Sequence, residues 1–110
     1  MSKFITEGKV FSAVVTTGVV VYTSDDVQVY NPNRRANSQT TIALLSTKAG
    51  TVTTQIQMEA GGAWMNLVVA DAVSANILYT KDLSTLFYAV RAVFTNGGVA
   101  GVLNGWILSV

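Results

Sequence analysis

Hydrophobic and polar residues alternate with a period of two along much of the chain, and residues typical of turns interrupt this alternation. The clearest example is "TVTTQIQME", residues 51–59. Successive side chains of a β-strand point to opposite faces of a sheet. One face of this segment therefore carries Val52, Thr54, Ile56 and Met58, and the other carries Thr53, Gln55, Gln57 and Glu59. The pattern predicts a β-strand with one buried face.

Other segments of the chain show related patterns. We predict strands near residues 9–16, 18–23, 27–30, 40–47, 63–69, 77–80, 86–95 and 102–109. The short connections "KAG" and "AGG" separate the strands near 40–47, 51–59 and 63–69, and their glycines are typical of hairpin turns. These three strands are therefore expected to form a meander.

The strand pattern also predicts the fold class. The stretch 69–79 could form a helical turn, although its β-branched residues disfavour one, and no segment has the periodicity of a helix of ordinary length. Many short strands with turns at regular intervals are typical of antiparallel sandwiches and barrels. We expect an all-β protein, an antiparallel β-sandwich with a jelly-roll or immunoglobulin-like topology.

The length of 110 residues is close to the commonest domain size. It predicts a single domain over residues 1–110, with residues 1–9 as an extended N-terminal arm. Charged residues near the start leave no apolar segment of signal-peptide length, so we expect an unprocessed N-terminus. The apolar stretch "FSAVVTTGVVVY" is too short and too polar to cross a bilayer, so no membrane association is expected.

The chain is poor in charge. Charged residues make up 12% of the sequence, about half of the roughly 25% usual in soluble domains. The net charge of +1 provides no basic stripe for nucleic acid. A surface with so few charges tends to associate. We therefore expect a homo-oligomer or a subunit of a larger assembly.

Most catalytic machinery is absent from the sequence, which contains no cysteine and no histidine. Histidine-assisted nucleophilic catalysis and zinc sites with histidine or thiolate ligands are therefore excluded. The adjacent Asp25 and Asp26 are expected to form a hairpin turn, because a calcium loop would need further aspartates at alternate positions. We expect no enzymatic activity, no cofactor and no metal.

Arg91 lies in the middle of the apolar run "YAVRAVFTNGG". Alternation places Tyr88 and Phe94 on the buried face and Arg91 on the outer face. One interpretation is a cross-strand ion pair with an acidic residue such as Glu59. The other is a contact between subunits, since arginine is enriched at protein interfaces.

Other candidate interface residues are aromatic or basic. Trp64 is either turned inward by a bulge after "AGG" or exposed on an outer face, and Trp106 lies in a terminal strand that is apolar on both faces. Arg34 and Arg35 belong to "NPNRRANSQ", the longest polar loop. A solvated loop is one interpretation of this segment, and contact with an acidic partner is the other.

The segments "TTIALLSTKAGTVTTQIQMEAGGAWMNLV", "FYAVRAVFTNGG" and "GVLNGWILSV" together resemble small β-sandwich virion proteins of tailed bacteriophages. The shared pattern is a hairpin with a glycine turn followed by tryptophan, a later strand with a central arginine, and a final strand that contains glycine. The resemblance implies a capsid decoration or cement protein, or a head-tail component, located in virions assembled in the host cytoplasm. It also implies a homo-oligomer, with a trimer favoured, that binds the major capsid protein or another virion protein.

An alternative function is a carbohydrate-binding module. The sequence contains aromatic residues of the kind that stack on sugars in a β-sandwich, namely Tyr22, Tyr30, Trp64, Tyr79 and Trp106. Asn66 and Asn104 would then bind sugar hydroxyl groups. The location of the two indole rings distinguishes this function from an assembly role.

Overall fold

The computed structural model describes residues 8–28, 40–83 and 87–109, and these residues form two antiparallel β-sheets packed face to face. The strands are β1 (Gly8–Thr16), β2 (Val21–Thr23), β3 (Val27–Gln28), β4 (Thr40–Ser46), β5 (Gly50–Gln57), β6 (Trp64–Val73), β7 (Tyr79–Leu83), β8 (Ala89–Asn96) and β9 (Gly101–Ser109). The predicted all-β sandwich is confirmed.

One sheet has the strand order β1-β9-β4-β7, and the other has the order β2-β8-β5-β6. The short strand β3 also pairs with β8, so β2 and β3 behave as one interrupted strand. Antiparallel partners are nested along the chain: β1 with β9, β2 and β3 with β8, β4 with β7, and β5 with β6. This order is that of a long hairpin rolled into two sheets, which is the jelly-roll topology.

Alternation along the central strands builds the core. Val90, Ala92 and Phe94 of β8 are fully buried, as are Leu103 and Ile107 of β9. They pack against inward-facing side chains of the other strands, including Val10, Phe11, Val27, Ile42, Leu44, Val52, Ile56, Val73 and Leu83. The faces predicted for the strands near 51–59 and 86–95 are therefore correct over β5 and β8, whereas Met58 lies beyond the end of β5 and is exposed.

The predicted meander of three strands is wrong at its first connection. Strands β5 and β6 do form a hairpin, and Gly61 in its turn has a φ of 74°. Strand β4, however, belongs to the other sheet. The backbone N–H of Thr47 donates to the carbonyl of Val102 in β9, which belongs to the same sheet as β4. The carbonyl of Ala49, two residues later, accepts from the backbone N–H of Gly97, which follows β8 of the other sheet. The three-residue connection therefore carries the chain from one sheet to the other.

The segment that could have formed a helical turn contains the end of a strand and a turn. Strand β6 continues to Val73, and a turn follows in which Asn76 has a φ of 60° and donates to the carbonyl of Ser46. Asparagine tolerates this left-handed conformation better than most residues. Strand β1 begins at Gly8, so residues 8 and 9 of the predicted arm pair with β9, and residues 1–7 lie outside the described ranges.

Two edge strands, β1 and β6, carry the same local feature. In each of them the pairing register shifts and an alanine adopts a positive φ: Ala13 at 46° and Ala70 at 53°. The backbone N–H of Ala13 donates to Asn104 Oδ1 at 2.9 Å, and that of Ala70 donates to Thr53 Oγ1 at 3.1 Å. Bulges at sheet edges oppose pairing with a further strand. The irregularities therefore favour contacts through faces or loops over contacts through these edges.

A polar contact joins β6, an edge strand of one sheet, to β7, an edge strand of the other. The Tyr79 hydroxyl donates to Asp71 Oδ2 at 2.7 Å, and Lys81 Nζ lies 3.9 Å from the same oxygen. Burial raises the pKa of Tyr79 well above its ordinary value, and the hydrogen bond to Asp71 and the negative charge of that carboxylate raise it further. The neutral phenol therefore serves as a donor throughout the physiological pH range.

Candidate functional site

A row of polar side chains crosses the outer face of the five-stranded sheet. Register places Arg91 of β8 opposite Gln55 of β5, and Gln55 opposite Asn66 of β6. Arg91 Nε donates to Gln55 Oε1 at 2.8 Å, and Gln55 Nε2 donates to Asn66 Oδ1 at 3.0 Å. Gln55 therefore accepts a hydrogen bond from Arg91 and donates one to Asn66. These two hydrogen bonds orient the Gln55 side chain between its two neighbours.

Trp64 completes this row. It lies on β6 opposite Gln57, two residues before Asn66 and on the same outer face. Adjacent strands are about 4.8 Å apart, so the long Arg91 side chain crosses β5 to reach it. The guanidinium carbon lies 4.3 Å from the centroid of the Trp64 ring, within the range of a cation–π interaction. We call Arg91, Gln55, Asn66 and Trp64 the Arg91 site.

Among the residues that the structure describes, the guanidinium group of Arg91 retains unused donors. Arginine has five N–H groups, and the contact with Gln55 uses only the one on Nε. The predicted ion pair with Glu59 does not form: within residues 8–28, 40–83 and 87–109, the one salt bridge is that between Lys81 and Asp71. The alternating pattern placed Arg91 on the outer face correctly, but the charge is held by an amide and an indole ring.

The outer face of the four-stranded sheet carries the second tryptophan. Trp106 of β9 lies opposite Lys9 of β1 and Ala43 of β4. Lys9 Nζ lies 5.5 Å from the centroid of the Trp106 ring. Both tryptophans are therefore on outer faces, half-buried and beneath a cation, but they are on opposite sides of the sandwich.

Apolar side chains surround Trp106. Leu108 lies on the same face of β9 and is 48% exposed, and Leu45 of β4 is also exposed on this face. Val15 of β1 lies opposite Val102 of β9 and is exposed as well. This face therefore presents several aliphatic side chains to solvent near Trp106.

One end of the sandwich exposes further aliphatic residues, on the connections β1–β2, β6–β7 and β8–β9. We call Val19, Val20, Ile77, Leu78 and Val99 the apolar loop end; Val19, Ile77 and Val99 are 75%, 63% and 60% exposed.

Hydrogen bonds hold these connections at the same end. Asn96 Nδ2 donates to the carbonyls of Gly18 and Val99, at 2.7 and 3.0 Å. The backbone N–H of Asn76 donates to the carbonyl of Ser46, at the end of β4. The backbone positions of the three connections are therefore defined, although their aliphatic side chains are open to solvent.

The structure brings together only some of the residues singled out from the sequence. Trp64, Arg91 and Asn66 share one face, whereas Trp106 lies on the other. Arg34, Arg35 and Tyr30 lie outside the described residues. The proposed aromatic platform does not form among the rest, because the Tyr22 hydroxyl accepts from the backbone of Thr17 and Tyr79 is bonded to Asp71 between the sheets.

Sequence reasoning missed the contributions of Gln55 and Lys9. Alternation did place Gln55 on the outer face of its strand, and the register with Arg91 then follows from pairing that periodicity does not reveal. The exposed valines were also missed, because runs such as "GVVV" are equally typical of a buried strand.

Neither a metal centre nor a membrane-spanning helix is found in the part of the chain that the structure describes. No group of three or more histidine, cysteine, aspartate and glutamate residues lies together there. None of the elements described is a helix long and apolar enough to cross a membrane.

Comparison with known proteins supports the fold. No family model and no curated protein matches the sequence. The fold is similar to that in the crystal structure of XepA, an exported protein of the phage PBSX, with a TM-score of 0.70 and 12% sequence identity. The match covers 91% of this chain and 35% of the XepA chain, so this chain spans about a third of the length of XepA. At this identity, the likeness establishes a shared β-sandwich fold.

Proposed function

We propose that the protein is a non-enzymatic structural component of a bacteriophage virion, which binds the capsid or neighbouring virion subunits as a decoration, cement or head-tail protein. The observation that carries this proposal is the likeness of 91% of the chain to part of a phage protein. Jelly rolls occur in viral capsid proteins, and fold-level analogy of this kind supports the proposal without identifying a partner.

Exposed hydrophobic surface supports an assembly role. The apolar loop end and the face around Trp106 both present aliphatic side chains to solvent. Burial of apolar surface contributes about 25 cal/mol per Å². Contacts of modest area, repeated over many copies in a shell, therefore stabilise an assembly. We favour a trimer in which these surfaces contact other copies or the major capsid protein.

The location of the protein tests the proposal directly. Virions produced by the phage that encodes the chain would be purified through a density gradient, and their proteins would be quantified by mass spectrometry. We expect the protein in a fixed ratio to the major capsid protein. Its absence from purified virions, with the protein present in the lysate, would contradict the proposal.

A matched pair of variants tests the apolar loop end. Val99→Asp places a charge on this surface, whereas Val69→Asp places the same charge at a residue that is 65% exposed on β6, outside it. We expect Val99→Asp to reduce the amount of protein in virions while Val69→Asp does not. Circular dichroism would verify that both variants are folded, and equal loss of both would contradict a role for the loop end.

The carbohydrate-binding alternative has less support from the geometry. A cation lies over one face of each indole ring, and each ring is half-buried. A sugar that stacks on either exposed face would have to displace Arg91 or Lys9. A glycan array with the intact protein tests this alternative, and binding that is lost in Trp64→Ala or Trp106→Ala would favour it.

A further inference from the structure

We infer that the Arg91 site binds a carboxylate group of an acidic side chain on another virion protein. The inference deepens the proposed function and rests on it for the identity of the partner. The site itself is defined by four residues of this chain: Arg91, Gln55, Asn66 and Trp64.

The first argument is that the guanidinium group is oriented before any partner arrives. Its Nε donates to Gln55, whose own amide donates to Asn66, and its guanidinium carbon lies 4.3 Å from the centroid of the Trp64 ring. Free arginine side chains lose considerable rotamer entropy when they bind. The hydrogen bonds and the ring contact restrict Arg91 in the unbound protein, so binding there sacrifices less entropy.

The second argument concerns the donors that remain. Because Gln55 occupies the N–H on Nε, a ligand meets the two terminal amino groups, Nη1 and Nη2. These groups form a planar fork that matches the two oxygens of a carboxylate. Among the residues described, no carboxylate oxygen lies within 4.0 Å of Arg91. A half-buried cation that has no acidic partner among the described residues is complementary to a carboxylate from another chain.

The third argument decides between another protein and a second copy. The structure describes five acidic residues. Asp26 is buried, and Asp71 and Asp82 accept hydrogen bonds from Tyr79 and Thr41. The described part of a second copy therefore has few carboxylates to offer, and a protein richer in exposed acidic residues suits the site better.

Nuclear magnetic resonance provides the test. The intact protein would be titrated, at physiological salt, with a short polyglutamate peptide and with a glutamine peptide of the same length. We expect the Nε–H resonance of Arg91 and the indole N–H resonance of Trp64 to shift with the glutamate peptide alone. Shifts with both peptides, or with neither, would overturn the inference.

Three variants make the test specific. Arg91→Gln should abolish the response, and Arg91→Lys, which keeps the charge without the planar fork, should weaken binding about tenfold. Lys9→Gln is the matched control, because it removes the cation over the other tryptophan. An equal loss of binding in Lys9→Gln would indicate that the peptide is attracted by the net charge of the protein, and it would overturn the assignment of the binding site to Arg91.

The partner is tested separately. Loss of Arg91→Gln protein from purified virions, with Lys9→Gln retained, would support the acidic virion partner. Light scattering would compare the oligomer sizes of the same two variants. If Arg91→Gln alone dissociates the homo-oligomer, the carboxylate belongs to a second copy and the assignment to another protein is wrong. If the peptide binds at Arg91 but the protein is absent from virions, the proposed function fails and the carboxylate site stands.

Discussion

The outer face of the five-stranded sheet and that of the four-stranded sheet each carry a tryptophan beneath a cation, yet the two cations are held in different ways. Arg91 spans a neighbouring strand, and a side-chain hydrogen bond anchors it above Trp64. Lys9 is exposed on an edge strand, and its ammonium group lies farther from the ring of Trp106. A cation and a tryptophan thus form a hydrogen-bonded polar site on one face and a longer, more exposed contact on the other.

The neighbours of each tryptophan explain the difference. Around Trp64, the outward positions of β5 and β6 are amides that can bind a guanidinium group. Around Trp106, the neighbouring outward positions include Ala43 and Leu108. The first face is suited to recognition of a charged group, and the second is suited to burial against another apolar surface.

The largest effect is expected from a comparison of one closely packed glycine in each sheet, the half-buried Gly50 and the buried Gly105. A Cβ atom on Gly50 of β5 would lie 2.5 Å from the backbone oxygen of Thr95. On Gly105 of β9 it would lie 2.6 Å from Leu44 Cδ2, the movable end of a side chain. We expect Gly50→Ala to destabilise the protein by about 3 kcal/mol and Gly105→Ala by about 1 kcal/mol. Urea denaturation would measure both, and a larger cost at Gly105 would contradict this ranking.

Truncation of the two cations tests the comparison of the faces. Arg91→Ala removes a cation–π contact and a hydrogen bond, and we expect it to destabilise the fold by about 1–2 kcal/mol. Lys9→Ala removes a longer and more exposed contact, and we expect a loss of about 0.5 kcal/mol or less. Thermal unfolding of both variants would measure this difference. Equal losses would show that Arg91 is held no more firmly than Lys9.

The contact between the sheets has a pH dependence. The pKa of Tyr79 is higher in the folded protein than its ordinary value of about 10. Stability from this hydroxyl is therefore fully present below pH 10 and decreases as the pH rises above it, because the unfolded chain loses the proton first. Tyr79→Phe should cost about 1 kcal/mol at neutral pH.

Denaturation curves between pH 8 and pH 12 would test this expectation. The decrease in stability above pH 10 should be smaller in Tyr79→Phe than in the parent protein. Tyr22→Phe serves as a control, since the Tyr22 hydroxyl accepts a hydrogen bond from the backbone of Thr17. An identical alkaline decrease in the parent and Tyr79→Phe proteins would contradict the assignment.

A stabilising effect is expected at the two edge bulges, one in each sheet. Glycine adopts a positive φ without the steric cost that alanine bears. We expect Ala13→Gly and Ala70→Gly each to stabilise the protein by about 0.5–1 kcal/mol. Glycine at Ala43, in regular strand conformation on β4, is the control and should destabilise it. Destabilisation by all three substitutions would show that the bulges carry no strain.

Much of the fold follows from local patterns. The predicted segments overlap all nine described strands, and the inward faces of β5 and β8 are those that alternation indicated. Periodicity succeeds here because each of these strands has one buried and one exposed face. It fails where a strand reaches its end, as at Met58, and where loop residues are as apolar as the core, as at Val19 and Val20.

The candidate site was only partly predictable. The outward position of Arg91 follows from its neighbours in sequence, and that of Trp64 was one of two options. The contact between them depends on β5 lying between β8 and β6. No local pattern records that order, since the two residues are far apart in the chain. The ion pair expected with Glu59 was wrong for the same reason.

The sequence by itself determined that this protein is an all-β sandwich without histidine or cysteine chemistry, with Arg91 on an outer face. Alternation and composition suffice for these conclusions because they depend on single residues and on their immediate neighbours. Tertiary structure alone decided the jelly-roll order, the transfer of the chain between sheets after β4, and the assembly of Arg91, Gln55, Asn66 and Trp64. These features depend on strand pairing, which brings together residues that are far apart along the chain. Local periodicity depends on neighbouring residues and contains no information about such pairs.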